Sequence, residues 1–314
     1  MERHGASCGL EEFHHAVNVT FHEFESEVYD QVHSDMWQSL PRQFELLVDD
    51  WLAKTPSPRS GIRLLDIGAG TGLATDSILK TAIGPSIGSV DLLDTSPKML
   101  RRALARAAQW KVPVAPHEGL LDSIDPNLRF DLIITSSVLH HVPDLPGFAR
   151  SVSALQPQGG AFLHLQDPNG DSLQDPDLKQ RMEQYSRDRL PSWLSRITPR
   201  RVLGRLYRQF SGSQEPDYLA KTNRALIEQG VVRTPLTPNE LWAITDLHVE
   251  DGEGISITRL RGWMPEYELV SQRAYAFFGE LASNLPPRLR KVEEEMIARR
   301  ALNGLYIGAI WRKL

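Results

Sequence analysis

Three glycines in five residues, Gly68-Ala69-Gly70-Thr71-Gly72, separate an apolar run at Ile62–Ile67 from a helical pattern over residues 73–83. A turn of this kind lets the main chain approach a ligand closely. It also places the free amides of a helix N-terminus at the carboxyl edge of a sheet. The arrangement needs a strand in front and a helix behind, so it commits the middle of the chain to an α/β layout. Taken alone, the loop also fits a tight turn that binds nothing.

The strand-then-helix unit recurs. Residues 90–93 form a second apolar run, followed by a helical pattern over 97–110, and residues 112–115 a weaker strand interrupted by Pro113. A strong strand at 132–135, a helix at 145–155 and a strand at 161–165 follow, the last after Gly159-Gly160. Such alternation predicts a parallel sheet covered on both faces. It stops after Asp167-Pro168-Asn169-Gly170 and resumes with strands at 268–273 and 306–311 around a helix at 288–302. Upstream, Phe21, Val28, Met36, Leu40, Phe44 and Leu47 recur at helical steps, predicting two amphipathic helices broken near Pro41. Residues 55–60, with Pro56 and Pro58, read as a linker. The expected architecture is a doubly wound, mostly parallel, seven-stranded Rossmann-like α/β sheet. Its parts are an N-terminal helical lid (1–58), a core (59–170), a helical insertion serving as a cap (171–260), and a segment that completes the sheet (261–314).

Composition removes several function classes. No apolar run nears the roughly 20 residues that span a bilayer, and the N-terminus lacks the basic-then-apolar order of a secretory signal, so a cytoplasmic protein without membrane insertion is expected. Cys8 is the single cysteine, which excludes an intrachain disulfide or a cysteine-based metal cluster. A net charge of −5 leaves no basic footprint for nucleic acid, and a small-molecule partner is expected instead. Residues 187–208 carry seven arginines; a helix over 199–210 with a solvated basic face is expected, with an anionic substrate or peripheral membrane contact as other uses. His14, His15, His22 and His33 lie near Glu11, Glu23 and Glu25, but helical spacing does not gather three of them on one face, so no metal site is expected. His248, near Glu250, Asp251 and Glu253, reads as part of a polar loop.

Asp94 ends the second apolar run, where a carboxylate can accept hydrogen bonds from two ribose hydroxyls. Asp94-Thr95-Ser96 before Pro97 also fits a helix cap, and the two roles can coexist. The stretch Leu64-Leu65-Asp66-Ile67-Gly68-Ala69-Gly70-Thr71-Gly72 resembles the first motif of class I S-adenosylmethionine-dependent methyltransferases. Val90-Asp91-Leu92-Leu93-Asp94-Thr95-Ser96-Pro97-Lys98-Met99-Leu100 resembles their second. Phe130-Asp131-Leu132-Ile133-Ile134, Val138-Leu139-His140-His141-Val142-Pro143-Asp144 and Leu155-Gln156-Pro157-Gln158-Gly159-Gly160 resemble later motifs in the same order. The glycine spacing departs from the Gly-x-Gly-x-x-Gly of nicotinamide enzymes. The resemblance implies S-adenosylmethionine as cofactor. By it, the loop from Asp66 through Gly68, Ala69, Gly70, Thr71 and Gly72 runs along the methionine and ribose, and Asp94 with Thr95 and Ser96 holds the ribose. Met99 would pack at the adenine and Ser136 would end the fourth strand beside the cofactor. Many relatives carry an acid after the third strand; here Leu120 and Leu121 would supply backbone contacts, or Asp122 would serve. Tyr29 resembles a lid tyrosine, and fits a merely packed one equally.

Methyl transfer from a sulfonium is an in-line displacement in which positioning dominates and a general base is optional. His140 and His141, after the fourth strand, are candidates to orient or deprotonate an acceptor; each also fits a capping or solvated role. Asp167, ending the fifth strand, is a candidate base or anchor, or a turn residue. The expected function is methylation of a small-molecule acceptor, with O-methylation ahead of N- or C-methylation. A protein that binds the cofactor without transferring methyl is the alternative.

Overall fold

The computed structural model describes residues 2–6, 8–55, 60–189, 217–250 and 253–314. Its strands are β1 (Ile62–Ile67), β2 (Ile87–Asp94), β3 (Val114–Glu118), β4 (Leu132–Ser136), β5 (Ala161–Pro168), β6 (Tyr267–Tyr275) and β7 (Tyr306–Lys313). They form one seven-stranded sheet in the order β3-β2-β1-β4-β5-β7-β6. Neighbours from β3 through β5 are parallel, and β7 runs antiparallel between β5 and β6. The order reverses between β1 and β4, so the carboxyl ends of these two strands flank the crevice where open α/β sheets bind ligands.

The weak third strand begins one residue after Pro113, whose carbonyl accepts from Val90 N at 3.0 Å. Pro113 has no amide to donate, and β3 tolerates Pro116 because it is an edge strand. Strand β5 runs past the expected end through a bulge between His164 and Asp167, where Gln166 takes a φ of 65°.

Alternate residues of the central strands serve opposite faces. Leu64, Leu92, Ile134 and Leu163 pack beneath α3 (Ser34–Lys54), α4 (Leu73–Leu79) and α5 (Pro97–Ala107). Leu65, Ile133, Phe162 and Trp311 face α6 (Leu145–Ala154) and the helix Ile257–Trp263. The N-terminal helical break lies elsewhere than expected. Pro41 sits inside α3, and the chain instead turns between α1 (Leu10–Glu25), the short α2 (Tyr29–Val32) and α3. An interior proline costs about 3 kcal/mol, but Leu40, Phe44, Leu47 and Val48 of the same helix are fully buried. Each contributes roughly 1.5–3 kcal/mol, so packing outweighs the lost amide.

Phe13, Val17 and Phe21 of α1 pack with Leu219, Leu226 and Leu241 of the helices Asp217–Glu228 and Pro238–Thr245. The expected lid and the expected insertion therefore meet in one apolar cluster above the carboxyl edge of the sheet. The expected helix at 199–210, most of the arginine-rich stretch, Pro56, Pro58 and Asp251 lie outside the described residues. No helix among the described residues is long and apolar enough to cross a membrane.

Candidate active site

A cavity of 1120 Å³ opens between the carboxyl edge of the sheet and the cap. Its floor at one end is the glycine loop. Gly68, Gly70 and Gly72 take left-handed φ values of 66°, 53° and 90°. A Cβ on Gly68 would lie 2.5 Å from Val138 Cγ2, whereas one on Gly70 would meet nothing nearer than 4.0 Å. Gly68 thus permits a close chain approach, and Gly70 leaves its open side free for a ligand. Asp94 Oδ2 accepts from Gly70 N at 2.7 Å and Oδ1 from Ser96 N at 2.8 Å. Burial raises the Asp94 pKa above its ordinary value, opposed by these two amides. Each oxygen keeps acceptor capacity toward the cavity.

Tyr29, Gly68, Gly70, Asp94, Thr95 and Met99 line this end. Leu120, Leu121, Asp122 and Ser136 line it too, with Leu120 exposed by 53%. These residues fit an adenosyl sulfonium: Gly70 leaves room, Asp94 offers two oxygens to a vicinal diol, and Leu93, Met99 and Leu120 give apolar surface for a planar ring. Five residues expected at the cofactor instead stand behind the loop. Asp66 is fully buried, its Oδ2 accepting from Thr75 Oγ1 at 2.6 Å and Thr75 N at 3.2 Å, so it pins the start of α4. Burial, with the Asp94 charge nearby, pushes its pKa up to about 7. Ala69 is buried and Gly72 caps α4. Thr71 Oγ1 donates to Asp30 Oδ1 at 2.6 Å, and Ser96 Oγ donates to Glu23 Oε2 at 2.7 Å while capping α5. These hydroxyls face the cap and fasten it to the loop. Arg106 completes the latch, bonding Asp30 at 2.7 Å and the Thr71 carbonyl.

The far end of the cavity holds His140 and His141, on a single 3-10 turn after β4. His140 Nδ1 lies 2.9 Å from Asp167 Oδ1, which also accepts from His140 N at 3.3 Å. A carboxylate only accepts, so Nδ1 carries a hydrogen and the ring's other nitrogen, Nε2, is turned away from Asp167. Asp167 is fully buried and does not reach the cavity; any role it has passes through His140. Burial alone would raise the Asp167 pKa, yet the neighbouring His140 and His164 hold it below the ordinary value. His141 Nδ1 donates to the Thr245 carbonyl at 2.6 Å. Burial, with His140 and His22 adding, lowers its pKa well below the ordinary value, so this imidazole is neutral at pH 7. Asp246 Oδ1 stands 3.4 Å from His141 Nδ1 and 3.9 Å from His140 Nε2. One ligand atom from each of these three falls within 4.8 Å of the others, a spacing open to a cation. The bonds to Asp167 and Thr245 already satisfy one nitrogen on each ring without one. Ser137 and Gln166, at the ends of β4 and β5, both line the cavity with left-handed φ values of 60° and 65°. Such strain clusters at sites where geometry is imposed.

The roof brings together three residues that helical spacing alone was not expected to gather. Buried Glu25 accepts from His22 Nδ1 at 3.0 Å and His33 Nε2 at 3.2 Å, and all three line the cavity. His22 and Glu25 share a helical face, but His33 joins them only because the chain reverses before α3. His248, expected in a polar loop, lies instead in the short helix Leu247–Glu250, and its Nε2 bonds the Val142 carbonyl at 2.9 Å.

A family model described as a methyltransferase domain matches residues 36–210, more than half of the 314-residue chain. The chain belongs to the methyltransferase-domain family. It carries a methyltransferase domain of the class I, S-adenosylmethionine-dependent kind. Over 111 residues the methyltransferase is 31% identical to a ubiquinone biosynthesis O-methyltransferase of Methylobacterium nodulans, covering 35% of this chain and 43% of that protein. Over 269 residues it is 25% identical to a highly reducing polyketide synthase of Aspergillus carbonarius, covering 80% of this chain and 10% of the synthase. The chain thus spans less than half the length of these curated relatives. Among solved structures, a putative sarcosine dimethylglycine methyltransferase from Galdieria sulphuraria is similar with a TM-score of 0.47 and 12% identity, covering 87% of this chain and 85% of that one.

Proposed function

We propose that this methyltransferase acts on a hydroxyl oxygen of a small-molecule acceptor, with His140 as the proton acceptor and Asp167 as its positioning residue. One observation carries the reading: a single cavity runs from Gly70 and Asp94 to the imidazole that Asp167 orients. Its 1120 Å³ exceeds the roughly 300–1,000 Å³ of a pocket for one small ligand, leaving room for donor and acceptor together. The O-methyltransferase among the relatives supports oxygen as the acceptor atom.

When bound, the cofactor supplies an electrophilic methyl group on a positively charged sulfur. Gly70 and Asp94 hold the donor, and the cap keeps water from the reacting atoms. His140 Nε2 would take the proton of the acceptor hydroxyl as that oxygen is methylated, with the bound donor supplying the methyl group and retaining the carbon–sulfur electron pair. Asp167 keeps His140 in the tautomer with hydrogen on Nδ1 and stabilises the imidazolium that forms. His141, neutral and alongside, is the second group on the acceptor side. A second reading is methylation of an acidic carbon, which makes a base obligatory. It draws on the polyketide synthase match, which unlike the O-methyltransferase match spans most of this chain.

Incubation with trideuteromethyl S-adenosylmethionine and fractionated small-molecule extracts tests the proposal. The wild type is expected to give a labelled product with the label on oxygen. His140→Ala should lose about 10²–10⁴-fold in rate without losing cofactor affinity. No labelled product from any fraction, or an undiminished rate in the variant, would sink it.

A further inference from the structure

Behind the two cavity histidines lies a third imidazole that the reaction above does not use. His164 stands on β5 three residues before Asp167, and both side chains are fully buried. Neither ring nitrogen of His164 nor Asp167 Oδ2 has a hydrogen-bond partner among the described residues. Yet His164 Nδ1 lies 3.7 Å from Asp167 Oδ2, longer than a direct hydrogen bond but close enough for the dipole and the charge to act strongly in a low-dielectric interior. In a regular strand, residues three apart point to opposite faces. The bulge between His164 and Asp167, with Gln166 in the left-handed region, brings these two onto the same side.

A buried polar group without a partner costs about 1–3 kcal/mol. Phe162, whose ring stacks 5.9 Å from that of His164, shows that an aromatic hydrocarbon packs on this face. An apolar ring would avoid the penalty, so the imidazole needs a reason. Its neighbour supplies one. Asp167 sits between two imidazoles: Oδ1 on His140, which faces the cavity, and Oδ2 toward His164, which is sealed from it.

We propose that His164 is a positioning residue for the acceptor base: its Nδ1–H faces Asp167 Oδ2, sets the rotation of the carboxylate, and so aims Oδ1 at His140 with Nε2 toward the acceptor. The inference rests on His140 being the proton acceptor. One proton moves in the reaction, from acceptor hydroxyl to His140 Nε2; His164 exchanges none, and Asp167 stays ionised between the two rings.

The test reads imidazole nitrogen shifts by NMR in the wild type, His164→Phe and His164→Gln, without acceptor. The wild type is expected to hold His140 in one tautomer, with hydrogen on Nδ1. In His164→Phe that single state gives way to a mixture, and with an acceptor in hand kcat falls roughly tenfold, less than on removal of the base itself, while KM holds. His164→Gln keeps an amide donor and restores most of the wild-type signature. S-adenosylmethionine affinity, unchanged in all three, reports an intact fold. If the Phe variant does not fold, His164→Asn, whose shorter amide falls short of Oδ2, takes its place against Gln. His140 signals that match the wild type in the donor-free variant, or a Gln variant that behaves like it, would overturn the proposal. Because no acceptor is present in the NMR measurement, a failure to find methyl transfer is read separately.

Discussion

Asp50 of α3 joins the helical layer to the closing strands. Its carboxylate accepts from Arg273 at 2.7 and 2.9 Å, Arg300 at 2.6 and 3.1 Å, and Ser271 Oγ at 2.6 Å. Burial would raise its pKa, but Arg273, Arg300 and Ser271 hold it well below the ordinary carboxylate range. Its contribution is therefore present above the ordinary aspartate value of about 4 and fades as the pH falls below it. Asp50→Asn leaves Arg273 buried without its counter-charge, and a loss of about 3–5 kcal/mol is expected in denaturant unfolding. A change under 1 kcal/mol would show that Arg300, half exposed, and Ser271 carry Arg273 without it. At this scale the sequence revealed the residues whose roles are set by neighbours in the chain. Gly68, Gly70 and Asp94 were legible because a strand-to-helix turn fixes where each one points. Asp50 was not, since Arg273 lies 223 positions away. The same holds for Asp167, whose turn-like sequence gave no sign that a bulge carries it to His140 and His164.

The roof formed by α1 and α2 is held by charge as well as by packing. Burial would raise the Glu25 pKa, but His22 and His33 bring it down to about 2. Its contribution is complete above its ordinary value of 4.5 and is lost as the pH falls toward 2. His22 runs the other way. Burial would lower its pKa, but Glu25, with Asp94 and Asp246 nearby, raises it above 6.5. Its contribution is complete below 6.5 and disappears as the pH rises through the folded value. Of the imidazoles near it, His141 has its pKa held well below the ordinary value by burial. The roof should accordingly be tightest between about pH 4.5 and 6.5, the interval bounded by the two ordinary values. Amide exchange of α1 and α2, corrected for intrinsic rates, is expected to be slowest there and to speed up toward pH 8, while β1 and β4 stay protected throughout. A flat profile across that range would remove the His22–Glu25 pair from the roof's stability. The sequence showed the helices of this element by their apolar period but misplaced the break. Pro41 has a local penalty that the packing of Leu40 and Phe44 overrides, while the real turn is set by polar contacts of Glu25 that periodicity cannot register.

Across the molecule, the central strands were readable because strands buried on both faces appear as plain apolar runs, and β7 carries the same signature, whereas β6 mixes apolar residues with Glu268, Gln272 and Arg273. The acceptor end of the cavity was not. It is built where α1 meets the helices Asp217–Glu228 and Pro238–Thr245, and Tyr218, Trp242 and Asp246 enter it from segments with no motif and no regular strand-helix rhythm. The donor end is read from the glycine loop and Asp94, whereas the acceptor follows from the walls of the cap. Titration calorimetry tests binding at the donor end without an acceptor. The wild type is expected to bind both S-adenosylmethionine and S-adenosylhomocysteine, and Asp94→Ala, which loses hydrogen bonds to a charged acceptor at about 1.5–3 kcal/mol each, should bind both at least tenfold more weakly. Equal affinity in the two proteins would remove Asp94 from the donor site.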